Sequence, residues 1–423
     1  MARFPRMADI IQKFDAPRVD NIPQAVVDQL KTLNLQNVIQ SGQTVAVTAG
    51  SRGIANIAII LRATVDYLKS LNAVPFIVPA MGSHGGGTVE GQLDVLRGFG
   101  VTEESLDVEI RATMDTVVVA QTDGGIPVHF DRHAHDADHV LVVNRIKPHT
   151  RFVGEIESGL HKMLLIGLGK HHGAKIYHAA ILTHSFSEII ASVAAQVLRS
   201  CGVVGGLAIL ENAEDETAML EAVLPENFGA REPDLLKQAC RWLPTLPFSD
   251  VDLLIVDRIG KNISGTGMDA NVIGRKFHDH RATDEDIARC LRIMVRSLTE
   301  ETHGNATGIG IAQFTTERCV AQVDPVKTRV NCITANHVEV AAIPITLPTD
   351  AEAVECALQT IGLVEPENAR VIQIADTLQM TRTRVSEAYF PLVEQSPTLT
   401  FASDPYEFPV DANGLLSDIP GAH

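Results

Sequence analysis

The sequence has no excess of positive charge and no long apolar run. Its 52 acidic residues outnumber its 35 basic residues, which gives a formal net charge of −17. Proteins that bind nucleic acid or an anionic membrane need a basic surface, so neither is expected as a partner. No stretch approaches the roughly 18 uncharged apolar residues that a membrane-spanning helix requires. We therefore expect no nucleic acid and no membrane among the partners of this protein.

Paired cysteines and a signal peptide are also missing. The six cysteines are scattered and include no C-x-x-C pair: Cys201, Cys240, Cys290, Cys319, Cys332 and Cys356. This spacing argues against an iron–sulfur cluster or a cysteine-ligated zinc ion and is typical of reduced thiols. The first fifteen residues, MARFPRMADIIQKFD, lack an apolar segment followed by a small-residue cleavage site. These features predict a cytoplasmic protein.

The sequence does contain enough apolar residues for more than one core. It has 423 residues, of which 45% are apolar, and this length predicts about two or three domains. A β-rich run at 44–50, a helical pattern at 55–72 and a second apolar run at 73–82 form the strand–helix–strand signature of a parallel βαβ unit. Because this alternation continues to about residue 200, we predict an α/β fold with mostly parallel sheets.

The alternation breaks at about 223–250, where four prolines and the only tryptophan of the chain occur. Such a segment is typical of a linker. A new strand-like run, VDLLIVD, begins at residue 251 and is followed by a glycine-rich loop. We therefore expect an N-terminal domain at 1–235 and a second α/β domain at 250–423.

Three polar loops, each following a predicted strand, lie at residues 50–53, 81–87 and 144–149. In open α/β sheets, ligands bind beyond the carboxyl ends of the strands. If one parallel sheet carries all three strands, Arg52, His84 and His149 converge, and histidine can act as acid or base near neutral pH. Gly53, ahead of a predicted helix, could present N–H groups to an anion. The alternative for His84 is a solvated side chain in a flexible glycine turn.

Histidine is concentrated in one part of the chain, since ten of the sixteen lie between residues 129 and 184. Imidazole is a common ligand of zinc, copper, iron and nickel. The run HFDRHAHDADH at 129–139 resembles the H-x-H-x-D-H pattern of metallo-β-lactamase-type zinc hydrolases, with one residue too many. A zinc-dependent hydrolase that uses His133 and His135 is therefore one hypothesis, and a loop of solvated histidines is the other interpretation.

The segment GLHKMLLIGLGKHHGAKIYHAAI at 159–181 combines lysines and histidines with an apolar stretch. Lys162 opens the stretch, and His171 and His178 are two helical turns apart, so they would share a face of one helix. Taken alone, the segment predicts an amphipathic helix with exposed lysines and histidines.

Taken together, five of these positions resemble the nickel-dependent lactate racemase family. Its members carry an arginine after an early strand, a histidine in a Gly-(Ser/Thr)-His loop, a second histidine after a proline, then a lysine and a further histidine. This sequence has the same order, with successive separations of 32, 65, 13 and 16 residues, in Arg52, His84, His149, Lys162 and His178. The resemblance covers most of residues 40–185 and is more specific than any single motif.

The resemblance implies a nickel-pincer nucleotide, a pyridinium mononucleotide whose two sulfur-bearing substituents and one ring carbon hold nickel. Lys162 would carry it covalently, and His178 would complete the square-planar geometry expected of Ni(II). The implied activity is racemisation or epimerisation of a 2-hydroxy acid by proton-coupled hydride transfer, with His84 and His149 as acid–base groups on opposing sides. Arg52 would clamp the substrate carboxylate. Enzymes that make the cofactor would be necessary partners.

Further positions follow from the same resemblance. Arg52 and Gly53 would also contact the cofactor, and the family has a lysine in its second domain that faces the site. Lys276 matches that lysine by its distance from Lys162 and would bind cofactor, whereas Lys261 matches by its place after a strand and would bind substrate. We expect the active site in the cleft between the two domains.

This sequence also departs from the family pattern. The segment between His149 and Lys162 is about three residues longer than in the racemases and adds Glu155, Glu157 and His161. These additions could suit a longer or more polar acid than lactate. A non-catalytic binder of a small acid or metal, with the same fold, is the remaining alternative.

Overall fold

The computed structural model describes residues 4–51, 53–180 and 184–420, and the chain divides into two units. The central unit comprises Ala16–Leu243, and the C-terminal unit comprises the residues up to Asp15 together with those from Pro244 onward. Both units combine helices with a mostly parallel sheet, so the predicted α/β fold class is confirmed.

This division differs from the expected boundaries on either side of the central unit. Strand β1 (Met7–Gln12) pairs with a strand of the C-terminal unit, where Asp9 lies opposite Arg384. The expected linker at 223–250 contains a 14-residue helix of the central unit, Phe228–Arg241. Three of the four prolines that indicated a linker flank this helix rather than interrupt it. The partner of Asp9 lies 375 residues away, a pairing that no local pattern reveals.

The strands that the structure describes in the central unit are β2 (Thr44–Ala49), β3 (Val74–Pro79), β4 (Thr116–Gln121), β5 (Pro127–Asp131), β6 (His139–Arg145), β7 (Val203–Glu211) and β8 (Thr217–Val223). One sheet has the spatial order β3-β2-β6-β7-β8, in which only β8 runs antiparallel to its neighbour. Strands β4 and β5 form a separate antiparallel pair.

Helices cover both faces of this sheet, so its strands are buried on both sides. Successive residues of β6 alternate between two cores: Val140 and Val142 belong to one, and Leu141 and Val143 belong to the other. The helices described in this unit are α1 (Ile22–Thr32), α2 (Ile57–Ser70), α3 (Val89–Gly98), α4 (Glu103–Leu106), α5 (Arg132–His135), α6 (Leu160–Lys162), α7 (Lys170–Ala180), α8 (Phe186–Ser200) and α9 (Phe228–Arg241).

Strands β2, β3 and β6 are parallel neighbours in this sheet. Val47 of β2 lies opposite Ile77 of β3 on one side and Leu141 of β6 on the other. The three strands therefore end at the same edge of the sheet, which we call the site edge. The loops at 50–53, 81–87 and 144–149 all leave from the site edge, as the sequence predicts.

The C-terminal unit contains β1 together with β9 (Asp250–Ile259), β10 (Arg289–Leu298), β11 (Phe314–Thr316), β12 (Ile345–Leu347), β13 (Val371–Ile374), β14 (Arg382–Ser386) and β15 (Leu399–Phe401). Their spatial order is β12-β11-β10-β9-β13-β14-β1-β15, parallel from β12 to β13 and antiparallel beyond. The accompanying helices are α10 (Ala270–Ile273), α11 (Glu317–Val320), α12 (Pro325–Thr334), α13 (Asp350–Leu358) and α14 (Phe390–Gln395).

None of the helices in the described residues could cross a membrane. The longest of them, α8, has 15 residues. A membrane-spanning helix needs about 20 predominantly apolar residues.

Candidate active site

The loop after β3 places His84 at the site edge. Its backbone N–H donates to the Met81 carbonyl at 3.1 Å, and its side chain is exposed. Ring atom Nδ1 is hydrogen-bonded to the Ser51 hydroxyl, which joins this loop to the one after β2. Gly85 has a φ of +65°, and a Cβ there would lie 2.5 Å from the Gly91 backbone carbon. Glycine is therefore needed where the loop meets α3.

A buried polar network lies beneath this loop. The Gln92 side-chain amide donates to the carbonyls of Gly82 at 3.1 Å and His84 at 3.4 Å. Lys170 Nζ lies 3.4 Å from Gln92 Oε1 and 3.0 Å from Asp131 Oδ2, and it also donates to the last carbonyl of β3. Burial lowers the pKa of Lys170, and the Asp131 carboxylate opposes that shift. The pair is completely buried, and removing one partner would leave the other charge unpaired.

His149, in the loop after β6, is held by its backbone and by its ring. Its N–H donates to Glu157 Oε2 at 2.7 Å. Ring atom Nδ1 accepts hydrogen bonds from the N–H groups of Arg151 and Phe152, each at 3.1 Å. The half-buried imidazole also stacks on the Phe152 ring, with 4.3 Å between the ring centroids. These contacts define both the position and the orientation of the imidazole.

The short helix that carries Lys162 is fixed at its first turn. Glu232, buried in α9, accepts hydrogen bonds from the His161 backbone N–H at 3.2 Å and from its Nδ1–H at 2.6 Å. The Asn144 amide, at the end of β6, donates to the Gly159 carbonyl at 2.8 Å. A Cβ at Gly159 would overlap Glu232 Oε1. Half-buried Lys162 therefore projects from a segment tied to the site edge.

The chain continues from Lys162 into a π-helical turn, Met163–Gly167. The Met163 methyl group lies 3.3 Å from the Cβ position of Gly50, at the end of β2. The Gly82 N–H, just after β3, donates to the Gly167 carbonyl at 3.2 Å. The lysine segment thus touches the ends of both strands, and π-turns inside helices are frequent at functional sites.

Two predicted site positions are described only in part or not at all. Arg52 lies outside the described residues. His178 lies in α7, one turn after Ala174, and its side chain is outside the described part of the chain. The Ala174 methyl group is 3.6 Å from the Cβ position of Gly82, so this stretch of α7 passes the His84 loop. Gly53 is exposed and precedes the first residue of α2 by four positions.

Arg145 contributes to structure at the site edge rather than to an open positive charge. Its guanidinium is paired with the Glu211 carboxylate of β7, and both side chains are largely buried. The other oxygen of Glu211 accepts the Ala55 backbone N–H at 2.7 Å. This ion pair therefore connects β6 and β7 to the loop that contains residue 52.

Lys261 and Lys276 belong to the C-terminal unit. Lys261 Nζ donates to the Gly265 carbonyl at 2.6 Å and to Asn331 Oδ1 at 2.9 Å. Lys276 is nearly buried, and its backbone N–H donates to Asp286 Oδ1 at 3.0 Å. Their roles toward cofactor and substrate stay predictions, as does the location of the site in a cleft between the domains.

The histidine run at 129–139 is placed differently from the loops at the site edge. His133 and His135 lie in α5, and His139 begins β6, where its Nε2 is 2.8 Å from Gln43 Oε1. His149 follows the opposite end of the same strand. Among the described residues, no group of three or more His, Cys, Asp or Glu side chains is arranged to hold a metal ion. The zinc-dependent hydrolase that uses His133 and His135 stays a hypothesis.

Sequence reasoning missed the residues that hold the loops in place. Gln92, Asp131 and Glu232 are buried polar residues whose partners lie 78, 39 and 71 positions away along the chain. One sequence signal was present. Lys170 follows a run of small and apolar residues, a context in which a charged side chain can be buried. Its partners could not be named, because side chains distant in sequence meet only through the tertiary fold.

Comparison with known proteins gives the following matches. Residues 10–189 match the lactate racemase N-terminal domain. The lactate racemase apoprotein from Thermoanaerobacterium thermosaccharolyticum has a similar structure, with a TM-score of 0.55 and 11% identity over 88% of this chain and 99% of that chain. A protein from Thermotoga maritima is 12% identical over 76% of this chain and 81% of that chain, with a TM-score of 0.48. Comparison with curated protein sequences finds no match.

The structural match and the domain match support different conclusions. At 11% identity, the structural match to the apoprotein shows a shared fold. The domain match covers the segment that contains Arg52, His84, His149, Lys162 and His178. Residues 10–189 are therefore similar to the lactate racemase N-terminal domain, and the described chain shares its fold with the lactate racemase apoprotein.

Proposed function

We propose that this protein is a racemase or epimerase of a 2-hydroxy acid that uses proton-coupled hydride transfer and a nickel-pincer nucleotide. One observation carries the proposal: the loops of His84 and His149 and the segment of Lys162 meet at one edge of a parallel sheet. That edge is where ligands of open α/β sheets bind. A cytoplasmic location and supply of the cofactor by dedicated cofactor-making enzymes belong to the same proposal.

The residues at the site edge suit a covalently held cofactor. Lys162 is half-buried on a segment whose first turn is fixed, and a defined attachment point requires such support. At Gly50 and Gly82, a Cβ would lie 3.3 Å and 3.0 Å from side chains of the π-helical turn after Lys162. The absence of side chains at these two positions therefore lets the lysine segment approach the strand ends.

The proposed cofactor contacts follow from this arrangement and from the family pattern. Lys162 would carry the nucleotide, and His178 would be the protein ligand of nickel, for which imidazole is a suitable donor. When bound, the cofactor supplies an acceptor and donor of hydride for the α-carbon of the substrate. The remaining contacts with the nucleotide would come from Arg52, Gly53 and Lys276.

The protein's own side chains would bind the acid and handle its hydroxyl proton. Arg52 and Lys261 would hold the carboxylate, Arg52 through its forked donors. His84 and His149 would face the substrate hydroxyl, where a general acid–base group typically contributes a factor on the order of 10²–10⁴. The Ser51 hydroxyl on His84 Nδ1 can accept a hydrogen bond from that ring when it is charged.

The attachment site is tested by intact-protein mass spectrometry after co-expression with cofactor-making enzymes in nickel medium. We expect a mass increment in the wild type and none in Lys162→Ala. Lys175→Ala is the matched control, since Lys175 is an exposed lysine of α7 and should keep the increment. An increment that persists in Lys162→Ala would place the attachment elsewhere.

The reaction is tested by chiral analysis of 2-hydroxy acids incubated with the loaded protein. With a substrate deuterated at the α-carbon, the product of opposite configuration should keep its deuterium, because hydride is moved and returned. Loss of deuterium to water would instead indicate removal of the α-hydrogen as a proton. No inversion of any acid by protein that carries the increment would favour the non-catalytic binder.

A further inference from the structure

The ring of His149 is constrained at one nitrogen. Its Nδ1 accepts hydrogen bonds from the N–H groups of Arg151 and Phe152, each at 3.1 Å. A backbone N–H can only donate, so Nδ1 must present its lone pair. In neutral imidazole one nitrogen carries the hydrogen and the other accepts. The hydrogen of His149 therefore resides on Nε2.

Several contacts keep the hydrogen of His149 on Nε2 rather than on Nδ1. A hydrogen on Nδ1 would point at these two N–H groups, so two attractive contacts would become repulsive ones. The ring is stacked on Phe152, and the Phe186 ring is also near, with 6.4 Å between its centroid and that of His149. The His149 backbone is itself fixed by Glu157. Turning the ring over would also break both hydrogen bonds to Nδ1.

His84 has a different partner at the same ring atom. Its Nδ1 contacts the Ser51 hydroxyl, and a hydroxyl can donate to a bare nitrogen or accept from a protonated one. Both neutral tautomers and the charged imidazolium of His84 are therefore matched by the same neighbour. The exposed ring can take up a proton at Nε2 and release it again without losing this hydrogen bond.

We propose that His149 is a fixed hydrogen-bond donor to a substrate oxygen, through Nε2–H, and that His84 is the histidine that carries the hydroxyl proton. This inference rests on the proposed function and assigns unequal roles to the two histidines. In the proton step, the O–H bond breaks, its electron pair stays on oxygen, and the proton forms a bond to His84 Nε2. When hydride is returned to the opposite face of the α-carbon, the N–H bond at His84 Nε2 breaks and the same proton returns to that oxygen. His149 keeps its own proton and stabilises the negative charge on that oxygen.

The tautomer can be measured without substrate or cofactor. In protein labelled with ¹⁵N-histidine, long-range ¹H–¹⁵N correlation distinguishes a protonated from an unprotonated ring nitrogen, and the His149→Gln spectrum identifies the His149 signals. At neutral pH we expect His149 to be protonated at Nε2 only. A hydrogen on Nδ1 would overturn the inference. Since the cofactor is not involved, this result is independent of whether the proposed reaction occurs.

The unequal roles are tested in protein loaded with cofactor. A glutamine amide can donate a hydrogen bond but cannot carry a proton at neutral pH, so His149→Gln should lose at most about 10-fold in rate, and His84→Gln about 100-fold or more. His149→Ala, which has no donor, should be slower than His149→Gln. Equal losses of about 100-fold in both glutamine variants would show that His149 also carries a proton. If loaded wild-type protein inverts no acid, the proposed function fails, and the tautomer measurement alone decides the inference.

Discussion

The loops of His84 and His149 leave the same edge of one sheet, but they are held by different means. The His84 loop is supported from below: Gln92 binds its carbonyl oxygens, and the buried pair of Lys170 and Asp131 supports Gln92. The His149 loop is held from within, by Glu157 on the backbone and by two N–H groups on the ring itself. The His149 ring is thus bound at Nδ1 by two backbone N–H groups, whereas the His84 ring is bound at Nδ1 by a hydroxyl group.

This difference shows how one sheet edge can present two histidines with different chemistry. A ring whose Nδ1 is engaged by the backbone has a defined tautomer and position, which suits a fixed donor. A ring whose Nδ1 is bonded to a hydroxyl can change its protonation state and keep that hydrogen bond. Because the His84 loop is also held through its carbonyl oxygens, a proton transfer at the imidazole need not disturb the fold.

The largest expected effect comes from breaking the buried charge pair under the His84 loop. In Asp131→Asn, Lys170 would remain buried without its counter-charge, and the free energy of unfolding should fall by about 3–5 kcal/mol in urea denaturation. Asp94→Asn is the control, because the Asp94–Arg97 pair is exposed, and it should cost less than about 1 kcal/mol.

A double variant sharpens this test of the network. Adding Lys170→Met to Asp131→Asn removes the unpaired charge and should restore part of the lost stability. In the histidine NMR spectrum, the single variant should move the His84 signals more than those of His149. A similar loss of stability in Asp131→Asn and Asp94→Asn would contradict the role given to the buried pair.

A second comparison lies within the His84 loop, where two adjacent glycines have the same kind of backbone conformation. Gly85 and Gly86 have φ values of +65° and +68°, but only at Gly85 would a Cβ meet backbone atoms, those of Gly91 and Gln92, at 2.5–2.6 Å. Gly86→Ala should lower the free energy of unfolding by about 1–2 kcal/mol, because alanine disfavours the left-handed conformation. Gly85→Ala should cost about 2–4 kcal/mol, because the overlap adds to it. If the two variants had equal urea midpoints, the loop would be able to move away from α3 without a loss of free energy of unfolding.

Much of the fold could be predicted from sequence because its signals are local. The apolar periodicity of residues 44–82 indicates strand, helix and strand, and the rule for parallel sheets then brings three loops to one edge. The structure has this order, with β2, α2 and β3 in place. Local patterns failed where the partner is remote, as for β1, or where prolines flank a helix, as for α9.

The candidate site was predictable to a smaller extent. The types and order of His84, His149 and Lys162 can be read from the sequence, but the groups that define their chemistry cannot. The state of the His149 ring depends on the turn through residue 152, which brings two N–H groups to one nitrogen atom. The position of Lys162 depends on Glu232, in a segment that sequence patterns indicated was a linker. Both depend on geometry that residue spacing does not specify.

The smallest expected effect concerns the carboxylate within the His149 loop. Glu157 accepts the His149 N–H at 2.7 Å and the Gly154 N–H at 3.3 Å, one on each oxygen. In Glu157→Gln one acceptor becomes an NH₂ group, so we expect a loss of about 1–2 kcal/mol in urea denaturation, whereas exposed Glu155→Gln should change little. The ¹⁵N signals of His149 should shift more than those of His84, because Glu157 binds the backbone N–H of His149 itself, whereas the backbone carbonyl of His84 is bound by Gln92. Equal shifts at both histidines would show that the two loops are not held independently, and the unequal roles inferred for them would then lose their structural basis.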